Sequence, residues 1–344
     1  MTALTLQAVS AGRRSRRSRR LAVTVILATL VVTLLLLGLM LGATVYSLDD
    51  VVRVLAGEKV QGASFAIGSL RLPRMLAGTM AGLAFGAAGT TFQTMLRNPL
   101  ASPDIVGISA GASAAAVFCI LVLHWSGPAV SLVAIVVGLA TAALIYWLAR
   151  GGESAGGRLI LIGIGVGAML DSVVSYLLLN ASAWDVPMAV RWLTGSLNGT
   201  RLDELPPLAL AVVVFGGVIL LLGRNLKALE FGDQTATALG VRVDASRLAL
   251  VLCAVGLVSF ATAVTGPIAF VAFLAGPIAT RLVGAGSQVV LPAALTGAVL
   301  VLAADLLGQF AFDTKFPVGV VTGILGAPYL LFLLARINRA GGSA

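Results

Sequence analysis

Ten apolar blocks constrain this chain more than any other feature of its sequence. Hydrophobic residues make up 59% of its 344 residues and charged residues only 11%, whereas a soluble domain needs more charged surface to stay in solution. Most blocks have about 18 residues or more, enough for a helix to cross a hydrocarbon core of about 30 Å. Segments of about ten alternating residues, typical of a membrane β-barrel, do not stand out. The sequence therefore predicts an all-α, polytopic membrane protein.

The breaks between the blocks are charged or rich in glycine and proline, and they set the limits of the predicted spans. The ten spans are residues 21–43, 74–92, 105–124, 128–148, 158–180, 205–223, 246–265, 268–285, 288–307 and 317–336. Only Thr265-Gly266-Pro267 separates the seventh span from the eighth, so that pair could also be a broken or re-entrant helix. Small residues such as those at 78–82 let helices approach closely, which predicts a tightly packed bundle.

Basic residues determine the predicted orientation. Six arginines between residues 13 and 20 precede the first span, which indicates a cytoplasmic N-terminus and attraction to anionic lipid rather than a nucleic-acid-binding arm. The first span is longer than the core of a signal peptide, about 7–15 residues, and is expected to be retained. With both termini in the cytoplasm, the basic residues left on the outer side are Arg53, Lys59, Arg71, Arg74, Arg191, Arg201 and Lys315.

Three kinds of motif interrupt the apolar pattern with charged, turn-forming or helix-breaking residues. Arg71-Leu72-Pro73-Arg74 opens the second span on the outer side, where proline suits a first helical turn. Both arginines are expected on one face of the helix, at its N-terminal end, where the helix dipole is unfavourable for cations. Snorkelling of the two side chains to the membrane interface is an alternative explanation for their position. Asn98-Pro99-Leu100-Ala101-Ser102-Pro103-Asp104 is a cytoplasmic turn. Gly266-Pro267 and the segment 317–328 break helices, which a membrane tolerates only where protein or a water-filled cavity covers the backbone.

The cytoplasmic loop of residues 229–241 is the fourth unusual segment. Asp233 is expected to cap a short helix that presents Ala236 and Leu239 on one side, and Gly240 is expected to end it. Such a helix, without a core of its own, predicts a docking surface, although it could also lie flat on the lipid.

In this order and spacing, the motifs RLPR, NPLAxP, GDxxAxxLG, GPIxFV and PVGxxTxxxGAP resemble the FecCD-type (BtuC-like) permeases of bacterial ABC importers for ferric siderophores, haem and cobalamin. The resemblance runs from about Arg71 to Arg336, and Ala304-Asp305 followed by Gln309 looks most like the ferric-siderophore branch. One position departs from the pattern. Family members usually carry His or Gln where this chain has Pro277, so the role of that side chain is not carried over.

The resemblance implies a type II ABC importer permease in the bacterial cytoplasmic (inner) membrane. A basic tail (1–20), one permease domain (21–339, with a coupling loop at about 224–247) and a short tail (340–344) are expected. Its expected partners are a second permease, either a homologous sister or a second copy, two ATPase subunits, an extracytoplasmic substrate-binding protein and membrane lipid. The chain has no GxxxxGK[ST] phosphate loop, so ATP and Mg belong to the ATPase, and neither a cofactor nor a catalytic residue is expected here. The expected cargo is an iron(III)-siderophore or a related large metal chelate.

The resemblance also assigns roles to individual residues. The expected docking residues for the binding protein are Arg71, Arg74 and Lys315. The expected coupling residues are Glu230, Gly232, Asp233, Ala236, Leu239 and Gly240, and the cytoplasmic loop motif comprises Asn98, Pro99, Leu100 and Pro103.

Polar residues within the spans are candidates for the translocation path: Asp171, Asp305 and Gln309. An aspartate within a span costs several kcal/mol unless it is paired or wet. Asp305 could instead be hydrated at the outer boundary, and Asp171 could bond a neighbouring helix. A lone His124 offers no metal site.

Two other classes of protein compete with this interpretation. An ion-coupled secondary transporter could use Asp171 and Asp305, but it would leave the GDxxAxxLG loop unexplained. An intramembrane aspartyl protease needs paired aspartates on adjacent spans, one of them in a GxGD sequence, and Asp233 lacks the first glycine and lies in a loop.

Overall fold

Every regular element in the part of the chain described by the computed structural model is helical, which confirms the all-α prediction. The structure describes residues 3–103, 107–149, 155–284, 286 and 288–341, so Asp104, Arg150 and residues 342–344 lie outside it. The helices are α1 (Ala3–Met40), α2 (Leu48–Leu55), α3 (Leu72–Met95), α4 (Ile108–Leu121), α5 (Pro128–Leu148), α6 (Ala155–Leu179), α7 (Val186–Leu193), α8 (Leu205–Leu221), α9 (Gly223–Leu229), α10 (Asp233–Ala238), α11 (Val243–Thr265), α12 (Val271–Val283), α13 (Val290–Phe310) and α14 (Val318–Gly341).

Each of the ten predicted spans coincides with a helix. Seven helical segments in the described chain are long and apolar enough to cross a membrane, namely those containing α1, α3, α5, α6, α8, α11 and α13. The apolar helical parts of α4, α12 and α14 are shorter. With 13 residues, α12 is about 20 Å long at 1.5 Å per residue, less than the thickness of a hydrocarbon core.

The predicted boundaries between the tails and the permease domain fall within continuous helices. Helix α1 continues through the predicted boundary at residue 20, because arginine favours helices and no proline interrupts the run; it ends at Met40, short of residue 43. At the other end, α14 likewise passes residue 339. Below, "inner" and "outer" denote the bundle ends that the predicted orientation places towards the cytoplasm and away from it.

Helix α3 lies at the centre of the bundle, where it packs against α13, α11, α12 and α8. Glycines make the closest of these contacts possible. A Cβ added at Gly82 would overlap the backbone of Ala298, and one at Gly297 would overlap the backbone oxygen of Gly82. The small residues of the sequence therefore bring α3 and α13 into backbone contact, as expected for helices that pack without large side chains between them.

The break between α11 and α12 is covered by another part of the chain. Helix α11 ends at Thr265 and α12 begins at Val271, and both Gly266 and Phe270 have positive φ. The backbone N–H of Ser196 donates to the carbonyl oxygen of Thr265 at 2.7 Å. Protein thus shields the irregular backbone, which is the condition under which membrane helices tolerate such a break.

Candidate functional site

A buried ion pair joins α3 to α13 at the outer end of the bundle. Arg74 donates to both carboxylate oxygens of Asp305, from Nη2 to Oδ1 at 2.6 Å and from Nε to Oδ2 at 2.9 Å. The Asp305 side chain is 1% exposed and that of Arg74 15%. Gln309 Nε2 also donates to Asp305 at 2.7 Å, and Arg74 Nη1 donates to Asn198 Oδ1. This bidentate geometry gives a strong and directional contact.

The second arginine of the motif, Arg71, caps the end of a different helix. Its Nη1 donates to the carbonyl oxygens of Leu39 and Met40, both at 2.9 Å, and its Nη2 to that of Thr44 at 2.7 Å. The guanidinium also lies over the ring of Tyr46. A cation is favourable at the C-terminus of α1, where carbonyl groups lack helical partners.

These contacts correct two expectations about the outer motif. Arg71 and Arg74 do not act on one face, because one contacts α1 and the other α13. Nor do they lie at the free positive end of a helix: a π-helical segment, Ser64–Arg71, runs directly into α3 and extends it outwards. Arg74 also has an acidic partner within the chain, Asp305.

Of the remaining outer and intramembrane candidates, Asp171 and Lys315 lie apart from the cluster of Arg74, Asp305 and Gln309. Asp305 is not a hydrated boundary residue, because it is buried and paired. Asp171 is exposed on the surface of α6, and no side-chain bond from it to a neighbouring helix is found among the described residues. Lys315 is exposed in the loop after α13. The structure therefore brings Asp305 and Gln309 together and leaves Asp171 and Lys315 outside their cluster.

At the inner end, an ion pair fixes the loop of α9 and α10 to α11. Arg247 Nη2 lies 2.8 and 2.9 Å from the two carboxylate oxygens of Asp233. Asp233 is the first residue of α10, Gly232 occupies the N-cap position, and no side-chain cap is present. The predicted capping role of Asp233 is thus wrong, because its carboxylate is bound by Arg247 instead.

The exposed side of this loop differs from the predicted one. Ala236 is fully buried, whereas Leu239 is 65% exposed, so the two residues do not share a side. Ala236 packs into the core cluster of the bundle, whereas Leu239, the C-cap residue that follows the end of α10 at Ala238, is left uncovered. Gly240, at positive φ, then donates to Thr237 O, and Val241 donates to Ala236 O, which are the two bonds of a Schellman motif. Gly240 therefore follows the helix end as predicted.

Phe231 is the residue that the sequence reasoning missed. It is 62% exposed and, like Leu239, belongs to the inner loop. Glu230 is exposed beside it, and Gly232 has a φ of 100°. The sequence contained a signal, since a large apolar residue next to a glycine in a polar loop has no core of its own to enter.

The inner turn after α3 is built by its own asparagine. Asn98 Oδ1 accepts a hydrogen bond from Leu100 N at 2.9 Å, which forms an Asx turn. Leu100 packs against Phe273 and Leu274 of α12; Pro99 is exposed and Pro103 is buried. The motif thus connects the inner end of α3 to α12.

Pro277 leaves a gap in the hydrogen bonds of α12 that α3 fills. Proline has no N–H, so the carbonyl of Phe273, four residues earlier, loses its helical donor. Gln93 Nε2 of α3 donates to that oxygen at 3.0 Å, and both groups are buried. A Cβ added at Gly276 would overlap the Gln93 side chain, so glycine at this position makes the approach possible.

A bundle of apolar helices whose irregular backbone is covered by protein is the fold of a polytopic membrane protein. Comparison with known families narrows the class. The chain belongs to the FecCD transport family, which it matches over residues 29–336. The predicted resemblance is thereby confirmed, and an ion-coupled secondary transporter is not favoured.

Curated relatives match the chain along almost its whole length. It is 40% identical to the ferric enterobactin transport system permease protein FepG of Escherichia coli (strain K12), over 94% of this chain and 98% of that protein. It is 38% identical to the achromobactin transport system permease protein CbrC of Dickeya dadantii (strain 3937), over 94% and 95%. A solved metal-chelate type ABC transporter in an inward-facing conformation superposes with a TM-score of 0.81, at 25% identity, over 92% of this chain and 99% of that one.

Proposed function

We propose that this chain is the permease subunit of an ATP-binding-cassette importer for iron(III)-siderophores or related large metal chelates, in the bacterial inner membrane. The observation that supports this most is the similarity to siderophore permeases over nearly the full chain. A second permease would complete the translocation path, and two separate ATPase subunits would bind ATP and Mg.

The inner loop is the proposed docking surface for the ATPase. Phe231 and Leu239 expose large apolar side chains beside the exposed carboxylate of Glu230. The ion pair between Asp233 and Arg247 holds α10 on α11, and α11 packs against the central helix α3. A push on the loop by the closing ATPase dimer would thus reach the bundle core through α11. Asp233 positions the surface, and Phe231 and Leu239 form it.

The outer end is the proposed docking face for a substrate-binding protein. Asp305 neutralises Arg74, whereas Arg71 keeps its charge but is held by carbonyl groups at the end of α1. Exposed Lys315 offers an unpaired cation in the described chain. Cations of this kind would chiefly orient the binding protein and speed its encounter with the permease.

Uptake by spheroplasts of the encoding bacterium, supplied with its substrate-binding protein, tests the proposed function. Deletion of the gene should reduce uptake of iron-55 from one ferric chelate in a panel of catecholates, hydroxamates and citrate at least tenfold, and plasmid expression should restore it. Uptake should survive a protonophore while cellular ATP is maintained. Loss of uptake under the protonophore at constant ATP would support the ion-coupled transporter instead, and unchanged uptake of every chelate after deletion would refute the proposal.

A further inference from the structure

A cavity of about 420 Å³ opens between the inner ends of α1, α8 and α13. The polar side chains that line it are Arg17, Arg20, Thr24 and Gln288, and its apolar lining includes Leu21, Leu220 and Leu291. None of the residues that line it is acidic. Neither the transport path proposed above nor the predicted docking surfaces account for this cavity.

The two arginines are aimed at the cavity by a neighbour that is fixed elsewhere. Arg19 Nε donates to the carbonyl oxygen of Leu282 at 2.9 Å, at the end of α12. This contact holds the Arg19 face of α1 against the end of α12, while α1 packs on α13 and α3. Arg17 and Arg20, three residues apart, then share the opposite face, as helical residues at this spacing do.

The positive charge in the cavity is not neutralised within the described chain. Arg17 and Arg20 take part in none of its ion pairs, and the one contact of Arg20 is with Gln288 Oε1 at 3.4 Å. This contact leaves the Gln288 amide N–H₂ free to donate. Two guanidinium groups and one amide donor in a concave site suit a phosphate group.

The apolar lining of the cavity continues onto the exposed side of the bundle, where its helices face away from the core. Leu21, Leu220 and Leu291 are all exposed, and Leu21 is the first residue of the long apolar run of α1. Arg17 and Arg20 therefore lie at the level where lipid headgroups meet the hydrocarbon core. The site combines charge at headgroup height with apolar walls directly beyond it.

We propose that this cavity binds one anionic phospholipid of the cytoplasmic leaflet. Its phosphate would lie between Arg17, Arg20 and Gln288, and its acyl chains would follow Leu21, Leu220 and Leu291 into the bilayer. The bound lipid would join α1, which already packs on α13, to the inner end of α8. The inference does not depend on the identity of the transported chelate.

Native mass spectrometry of the purified full chain tests this site. Wild-type protein should retain one phosphatidylglycerol in preference to phosphatidylethanolamine. The double variant Arg17→Gln, Arg20→Gln should bind phosphatidylglycerol at least about tenfold more weakly, because both charge-assisted contacts with the phosphate are lost. The matched control, Arg14→Gln with Arg16→Gln, removes the same charge outside the cavity and should change binding less than twofold.

A second variant separates a shaped site from general attraction to the basic run. Thr24→Trp keeps every arginine but fills the cavity, and it should abolish the preference for phosphatidylglycerol. Equal losses in the cavity and control double variants, or full binding by Thr24→Trp, would overturn the proposal. Millimolar inorganic phosphate should not displace the lipid or raise the melting temperature, and either effect would identify a site for a free anion instead.

Discussion

The outer RLPR turn and the inner α9–α10 loop use their residues in opposite ways. At the outer turn, the charged groups bind within the chain, Arg74 to Asp305 and Arg71 to the end of α1. At the inner loop, the ion pair is also internal, but Phe231 and Leu239 remain exposed. Charged motif residues can thus hold the fold together. Exposed apolar residues on a loop that is held in place by an ion pair indicate instead a surface that a partner covers.

The largest effect should come from removing one side of the outer ion pair. Arg74→Ala leaves the buried Asp305 without its cation, which should lower the free energy of unfolding by about 3–5 kcal/mol. The double variant Arg74→Met, Asp305→Leu removes both charges and should recover most of that loss. Unfolding in mixed micelles followed by circular dichroism measures both. If Arg74→Ala were as stable as the wild type, the ion pair with Asp305 would not stabilise the fold.

A smaller but functional effect should follow from charging the inner surface. Leu239→Asp and Phe231→Asp should each reduce ATPase-coupled uptake more than tenfold in proteoliposomes, because an unpaired charge in a covered interface is costly. Melting temperature should stay near that of the wild type, since both side chains are exposed. The control is Leu48→Asp, at a similarly exposed apolar residue of α2 on the outer side. Equal losses of coupled uptake in all three variants would show that the inner loop is no more sensitive to an added charge than the outer side is.

The smallest effect on stability should come from the ion pair that holds the loop. Asp233→Asn should cost no more than about 1 kcal/mol, because both side chains are partly exposed. Coupled uptake should nevertheless fall several-fold, since α10 loses its attachment to α11. The exchange Asp233→Arg, Arg247→Asp should restore part of the uptake. If the exchange restores none, Asp233 contacts the partner directly rather than positioning the loop.

The sequence predicted the helices well because hydropathy along a helix is a local property. It could not predict the pairing of Arg74 with Asp305, since these residues are 231 positions apart and meet only through the packing of α3 on α13. The error at Ala236 and Leu239 had a different origin. A three-residue spacing does not decide which of two residues another part of the fold covers. Ala236 packs into the core of the bundle, whereas Leu239, the C-cap residue of α10, does not.

The hydrogen bond from Gln93 to Phe273 makes three separate positions depend on one another. Proline at 277 is tolerated because Gln93 supplies the donor that the proline removes, and glycine at 276 leaves room for that side chain. An ordinary residue at 277 would bring back a backbone N–H that competes with Gln93 for the same oxygen. A change at any of the three sites therefore alters how much changes at the other two lower the stability of the contact between α3 and α12. Pro277, Gln93 and Gly276 thus form one compensated set, in which each residue is accommodated by the other two.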